Sequence, residues 1–141
     1  MEGYNSRIGK TQMQQYMGDL YENPMVVYRE YIQNACDAIE DALSMNLIQD
    51  RKKSTIIVRI DTYNKTITIE DEAVGISKDN IGPYLVDVAS SKKVNRAGQY
   101  GIGRLNGANY CAQIIYETSY FGEEVLSTLV WDVKRAREIC E

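Results

Sequence analysis

Residues 29–38 read Arg-Glu-Tyr-Ile-Gln-Asn-Ala-Cys-Asp-Ala, and this stretch decides the fold. It lies within a run from Pro24 to about Met45 that no glycine or further proline interrupts. Asn23-Pro24 reads as a helix start, a capping side chain followed by proline at the first helical position. Val27, Tyr31, Ile32, Ala35, Ala38, Ile39, Ala42 and Leu43 supply the apolar side of a long helix. At about 100° per residue, Glu30, Asn34 and Asp37 fall within about 60° of arc, so one flank carries three oxygen-bearing side chains. Ala35 and Ala38 border that flank and leave room for a close approach. Taken alone, the pattern also suits a solvated amphipathic face. Asparagine, however, is a poor helix former and an odd filler for a mid-helix surface.

Working outward, residues 11–21 suit a short opening helix with Met13, Tyr16, Met17 and Leu20 on one face. After the long helix, 54–61 and 65–70 are rich in β-branched residues and are joined by Thr62-Tyr63-Asn64, the pattern of a hairpin. A short helical segment is expected over 77–88, interrupted near Gly82-Pro83, and then a polar stretch over 89–96. A glycine-rich loop, Gly98 to Gly103, precedes a helix near 105–110. Strands follow at 113–119 and 125–132, with Phe121-Gly122 turning between them. Helices and strands come in blocks and not as strict βαβ units. The expected fold is therefore α+β: a two-layer sandwich with helices on one face of a mixed, mostly antiparallel sheet. The length of 141 residues suits one domain over 1–141, and no repeat or linker divides it.

Composition narrows the chemistry. With 44% hydrophobic and 26% charged residues the chain is an ordinary globular one. Its net charge of −4 is unlike the basic footprint of a nucleic-acid binder, and Arg51-Lys52-Lys53 reads as a solvated loop. There is no histidine, so serine–histidine triads, cysteine–histidine pairs and histidine metal sites are excluded. Cys36, Cys111 and Cys140 lack C-x-x-C spacing and suit a reducing compartment. The N-terminus has no secretory pattern and no apolar run reaches membrane-spanning length, so a cytoplasmic protein without a membrane partner is expected.

Two further constellations carry chemistry. Ile69-Glu70-Asp71-Glu72-Ala73-Val74-Gly75-Ile76 places an acceptor where a strand leaves into a turn that ends in glycine. Such an acceptor can meet a ligand edge while backbone passes close beneath, although a plain acidic turn reads the same way in isolation. Gly98-Gln99-Tyr100-Gly101-Ile102-Gly103 is a G-x-x-G-x-G loop opening a helix. Its backbone N–H groups can converge on an anion, helped by the helix N-terminus. Arg104 follows where a Walker loop has Gly-Lys-Ser/Thr, and no strand precedes the loop as a Rossmann reading requires.

The order E-x-x-x-N-x-x-D, then D-x-x-x-G, then G-x-x-G-x-G resembles the GHKL ATPase superfamily of gyrase, the ninety-kilodalton heat-shock chaperone, histidine kinases and MutL. Residues 29–39 and 98–103 look most like the chaperone's motifs, and Ala89-Ser90-Ser91-Lys92 is similar to the Ala-Thr-Ser-Lys of the MutL and gyrase branch. The likeness spans about 8–132. It implies a Bergerat-type fold binding ATP with Mg²⁺. Glu30 would match the general base that orients water, Asn34 the Mg²⁺ ligand, and Asp37 and Ala38 would lie along the nucleotide. Asp71 would accept from the adenine amino group, while Gly75 and Ile76 would line the base pocket. Leu85, Ser91 and Lys92 would belong to a lid over the phosphates. Gly98, Gln99, Tyr100, Gly101, Ile102 and Gly103 would form the phosphate loop.

There are departures. Ala73 stands at the first glycine of D-x-G-x-G, Glu72 adds a charge near the base, and no late-strand threonine is assigned beneath the adenine. The family's catalytic lysine or arginine often comes from a following domain, so the chain is expected to be the N-terminal fragment of a longer protein. Arg104 is the local candidate. The leading expectation is a chaperone-like ATPase module that hydrolyses ATP slowly and pairs as a homodimer on binding it. The alternative is a non-catalytic adenine-nucleotide sensor. A histidine-kinase role fits poorly, because no histidine is present to be phosphorylated.

Overall fold

The computed structural model describes residues 24–86 and 107–135. The expected opening helix, the Asn23 cap, the polar stretch 89–96 and the glycine loop 98–103 lie outside the described residues.

Helix α1 spans Met25–Ser44, and the uninterrupted run after Pro24 explains its length. Pro24 already has helical backbone angles, and its carbonyl accepts from the Val27 N–H at 3.2 Å. The far end closes in a Schellman arrangement. Asn46 takes the left-handed conformation at φ 57°, its N–H donates to the Leu43 carbonyl, and the Leu47 N–H donates to the Ala42 carbonyl at 2.9 Å. Asparagine tolerates that conformation better than most side chains, so the chain reverses here without a glycine.

Next comes a single 3₁₀ turn, Arg51–Lys53, capped by the Asp50 carboxylate, which accepts from the Lys52 N–H at 2.9 Å. The three basic residues are exposed, and Arg51 forms an ion pair with Glu40 of α1. The solvated-loop reading of this run agrees with that placement.

Strands β1 (Ile56–Asp61) and β2 (Thr66–Asp71) form an antiparallel hairpin close to the expected bounds. Its turn is organised by Asp61, whose carboxylate accepts from the N–H groups of Tyr63 and Asn64 and from the Asn64 side chain. Those hydrogen bonds, led by the one from the Asn64 backbone, hold the Asp61 carboxyl below its ordinary pKa. Pairing of Val58 with Ile69 and of Ile60 with Ile67 puts Ile56, Val58, Ile60, Ile67, Ile69 and Asp71 on one face. Helix α1 packs against both strands. On that face Ile56 and Ile69 are half-buried, whereas Ile60 and Ile67 are open. The covered end is therefore the one carrying Asp71.

The described part of the segment expected over 77–88 forms a 3₁₀ turn, Lys78–Asn80, and a wide helical turn, Gly82–Val86, with the expected break near Gly82-Pro83. Proline at 83 has no N–H to give a regular helical bond, and glycine before it has little helix propensity, so the segment stays short and irregular. Residues 107–109 form one 3₁₀ turn, the described part of the helix expected near 105–110.

Strands β3 (Gln113–Thr118) and β4 (Ser127–Asp132) form a second antiparallel hairpin. Ile114, Tyr116 and Thr118 face Trp131, Leu129 and Ser127 on the half-buried side, while Ile115 and Val130 pair on the open side. The architecture is α+β, as expected. Among the described residues the strands make two separate two-stranded ladders, each antiparallel. No described helix is long and apolar enough to cross a membrane.

Ala35, Ile39 and Ala42 of α1, with Leu85, Ala108 and Val133, are the buried apolar side chains among the described residues. The helical spacing of the first three is the expected apolar stripe. Ile32 departs from it. At 36% exposure it stands on the edge beside the solvent face.

Since Ile39 is the largest buried side chain of α1, Ile39→Ala is expected to destabilise the chain by about 2–4 kcal/mol. Urea denaturation followed by circular dichroism measures this, and an unchanged midpoint would show that the stripe is not the core.

Candidate functional site

Helix α1 has three faces. Ala35, Ile39 and Ala42 are buried; Arg29, Gln33, Cys36 and Glu40 are exposed; Glu30, Asn34, Asp37 and Ala38 are half-buried between them. A purely solvated face would be as open as the Arg29–Gln33–Cys36–Glu40 side. The polar trio is partly covered instead, on the flank that adjoins the core. Gln33 donates to the Asp37 carboxylate at 2.9 Å, one helical turn along, and fixes its direction. Arg29 reaches the Glu30 carboxylate only at 3.4 Å with a largely exposed side chain, so Glu30 remains available on its other side.

The second part of the site is the turn after β2. Asp71 ends the strand on the same face as Ile56 and Ile69, and the Ala73 backbone donates a hydrogen bond to its carboxylate. Asp71 is open on one side, yet partial burial of its carboxyl pushes the pKa above the ordinary value, with the Ala73 hydrogen bond opposing that rise. Glu72 points into solvent as an exposed residue. Ala73 is not in the left-handed region that would require glycine, so alanine there carries no backbone strain.

Gly75 does need to be glycine. Its φ is 72°, and a Cβ added there would lie 2.0 Å from the Ser119 carbonyl oxygen and 3.2 Å from Thr118 Oγ1. The turn is stitched to the end of β3 around this contact. Thr118 Oγ1 accepts from the Ile76 N–H at 2.9 Å, the Phe121 N–H donates to the Val74 carbonyl at 3.2 Å, and the Lys78 N–H donates to the Glu123 carboxylate at 3.2 Å. Thr118 is a residue the sequence reading missed. Nothing local marks it, since its role depends on a partner 42 positions earlier.

Asp71, Gly75 and Ile76 thus share one turn, while Glu30, Asn34, Asp37 and Ala38 share one helix flank. Among the described residues no hydrogen bond joins the two groups. Leu85 is buried, at 6% exposure, near the end of the described segment. Ser91, Lys92, Gly98, Gln99, Tyr100, Gly101, Ile102, Gly103 and Arg104 lie outside the described residues. No cluster of three or more cysteine, aspartate or glutamate side chains able to hold a metal occurs among the described residues.

This fold and pair of motifs define a nucleotide-binding domain of the GHKL class. The family of histidine kinase-, DNA gyrase B- and HSP90-like ATPases matches residues 21–139, and the chain belongs to it. It is similar to the chaperone protein HtpG of Helicobacter hepaticus, with 28% identity covering 86% of this chain and 23% of the relative. HtpG of Helicobacter pylori is 27% identical over the same shares. HtpG of Clostridium acetobutylicum is 33% identical over 62% of this chain and 17% of the relative. The chain spans about a quarter of the length of the first two.

Two substitutions test the turn. Gly75→Ala is expected to lower stability by at least about 2 kcal/mol, from the left-handed backbone and the overlap with Ser119 together. Ala73→Gly restores the glycine of the family pattern, yet it is expected to destabilise by about 0.4–1 kcal/mol, because it only loosens the unfolded chain. Chemical denaturation of both variants checks the pair, and a stabilising Ala73→Gly would contradict the backbone angles.

Proposed function

We propose that the domain binds ATP with Mg²⁺, as the nucleotide-binding module of a chaperone-like GHKL ATPase. The observation that carries this reading is the half-buried polar flank of α1, Glu30–Asn34–Asp37, on a helix packed over the hairpin end that bears Asp71. Asp71 accepts from the adenine amino group, with Gly75 and Ile76 forming the floor of the base pocket. Asp37 and Ala38 lie along the nucleotide. Asn34 holds Mg²⁺, which keeps its remaining positions for phosphate oxygens and water. Bound there, the ion neutralises phosphate charge. Gly98 to Gly103 donate backbone N–H groups to the phosphates, and Leu85, Ser91 and Lys92 belong to the lid.

Glu30 acts as the general base for an attacking water, a task of positioning and electrostatics. Hydrolysis to ADP is slow in this domain alone. The transferring phosphoryl group needs a further cation, which in phosphoryl transfer is worth roughly 10³–10⁵ in rate. That cation, and a homodimer formed on ATP binding, come from a longer cytoplasmic protein; the relatives, about four times as long, support this.

The raised pKa of Asp71 predicts a trade between stability and binding. A carboxyl whose folded pKa is raised stabilises the fold below its unfolded pKa, about 3.9, and loses that contribution as pH rises through the folded pKa. At neutral pH the ionised group is thus a burden on the empty domain. Asp71→Asn is expected to leave the empty domain as stable or more so at pH 7, while weakening ATP binding by about 1–3 kcal/mol. Calorimetric titration beside thermal unfolding separates the two, and equal affinity of the parent for ATP and GTP would refute the adenine reading.

Glu30→Ala is expected to keep ATP affinity while abolishing hydrolysis, since a general base acts in the transition state. Asn34→Ala should lose the magnesium-dependent part of binding. Single-turnover assays and titrations with and without Mg²⁺ check both; parental behaviour in both variants would return this flank to a plain surface.

A further inference from the structure

Tyr31 stands beside Glu30 in sequence and belongs to neither the polar trio nor the three buried residues of α1. It begins the stripe that Ala35, Ile39 and Ala42 continue, about 60° round the helix from Asn34. Its phenol leaves the helix and reaches the segment that follows the glycine-rich loop. The Gly107 backbone N–H donates to it, and the Tyr116 hydroxyl of β3 lies 3.5 Å away. Gly107 is buried, and a Cβ added there would come within 2.8 Å of the Tyr31 oxygen and 3.2 Å of Ile114 Cδ1. Glycine is needed at 107 for closeness, since its φ lies outside the left-handed region. Burial raises the Tyr31 pKa above its ordinary value, with the bonds from Tyr116 and Gly107 opposing that rise and nearby Cys111 adding to it. The phenol is thus neutral across the working pH range and acts as a fixed hydrogen-bonding pin.

We propose that Tyr31 is a positioning residue: pinned by Gly107 and Tyr116, it sets where Glu30 and Asn34 stand relative to Gly107 and strand β3. This rests on the reading of that helix flank as the phosphate end of an ATP site. Gly107 is four residues beyond Gly103, the last glycine of the loop, and Tyr31 is one residue from Glu30 and three from Asn34. A shift at 107 therefore reaches the helix through one rigid aromatic ring. The base-reading turn at Asp71–Ile76 is held separately, by Thr118 and Ser119. Loosening the pin disturbs the phosphate end and spares the adenine end.

The test compares Tyr31→Phe, which keeps the ring and removes the oxygen, with the parent chain. Titrations use Mg²⁺·ATP and adenosine as separate ligands, and amide hydrogen exchange is followed at Gly107. Tyr31→Phe is expected to speed exchange at Gly107, to weaken Mg²⁺·ATP binding about threefold to tenfold, the scale of a net hydrogen-bond contribution, and to leave adenosine affinity unchanged. Equal losses for both ligands would make Tyr31 a structural residue only and overturn the proposal, as would unchanged affinity for both. Slow exchange at Gly107 in the variant would remove the pin itself, whatever the nucleotide does. If the parent binds neither ligand, the ATP reading falls as well, a result distinct from a parent that binds both and a variant that binds both equally.

Discussion

The approach of Gly75 to the Ser119 carbonyl is the constraint on which the arrangement of this domain turns. At that point the loop after the first hairpin lies directly on the end of the second, with no room for a Cβ between them. Three further hydrogen bonds, at Val74, Ile76 and Lys78, follow from that closeness. Among the described residues the two hairpins share no ladder, so these loop contacts do what strand pairing does in a continuous sheet. They also fix the direction in which the backbone leaves Asp71. A carboxylate at a strand end is ordinarily mobile; here the following turn is held on both sides.

Helix α1 is placed by a different device. Its stripe of two alanines and one isoleucine is narrow, and small side chains allow the backbone to approach the sheet closely. A narrow stripe leaves a broad remainder, and that remainder is divided unequally. One part faces water, while the part bearing Glu30, Asn34 and Asp37 is half-covered. Tyr31 at the N-terminal end of the stripe adds hydrogen bonds to Gly107 and Tyr116 to that packing. At Gly75 and Gly107 the lack of a Cβ brings backbone close to a neighbouring segment.

In the proposed ATP site, the Asp71 carboxyl sets binding against the stability of the empty domain. Partial burial disfavours its charge in the empty domain, and the single backbone hydrogen bond from Ala73 compensates in part. Asp61 makes the opposite case. Its carboxylate is satisfied within its own turn, its pKa is lowered, and its part is to shape the hairpin.

The extent of α1, both hairpins and the family motifs were legible in the sequence, because each depends on local order. An uninterrupted apolar period makes the helix, alternating β-branched residues make strands, and Asp71 and Gly75 are marked by spacing alone. Three things were decided only by tertiary structure. Whether the Glu30–Asn34–Asp37 flank is solvated or covered depends on what packs beside it, and helical periodicity cannot state that. Whether position 73 requires glycine depends on the path the turn takes to meet Ser119, and that path leaves Ala73 outside the left-handed region. The roles of Thr118 and of Tyr31 with Gly107 come from contacts 42 and 76 residues apart in the chain, the second from Tyr31 to Gly107. Such pairs carry no local signature, since each residue alone is an ordinary threonine, tyrosine or glycine until the fold brings its partner within bonding distance.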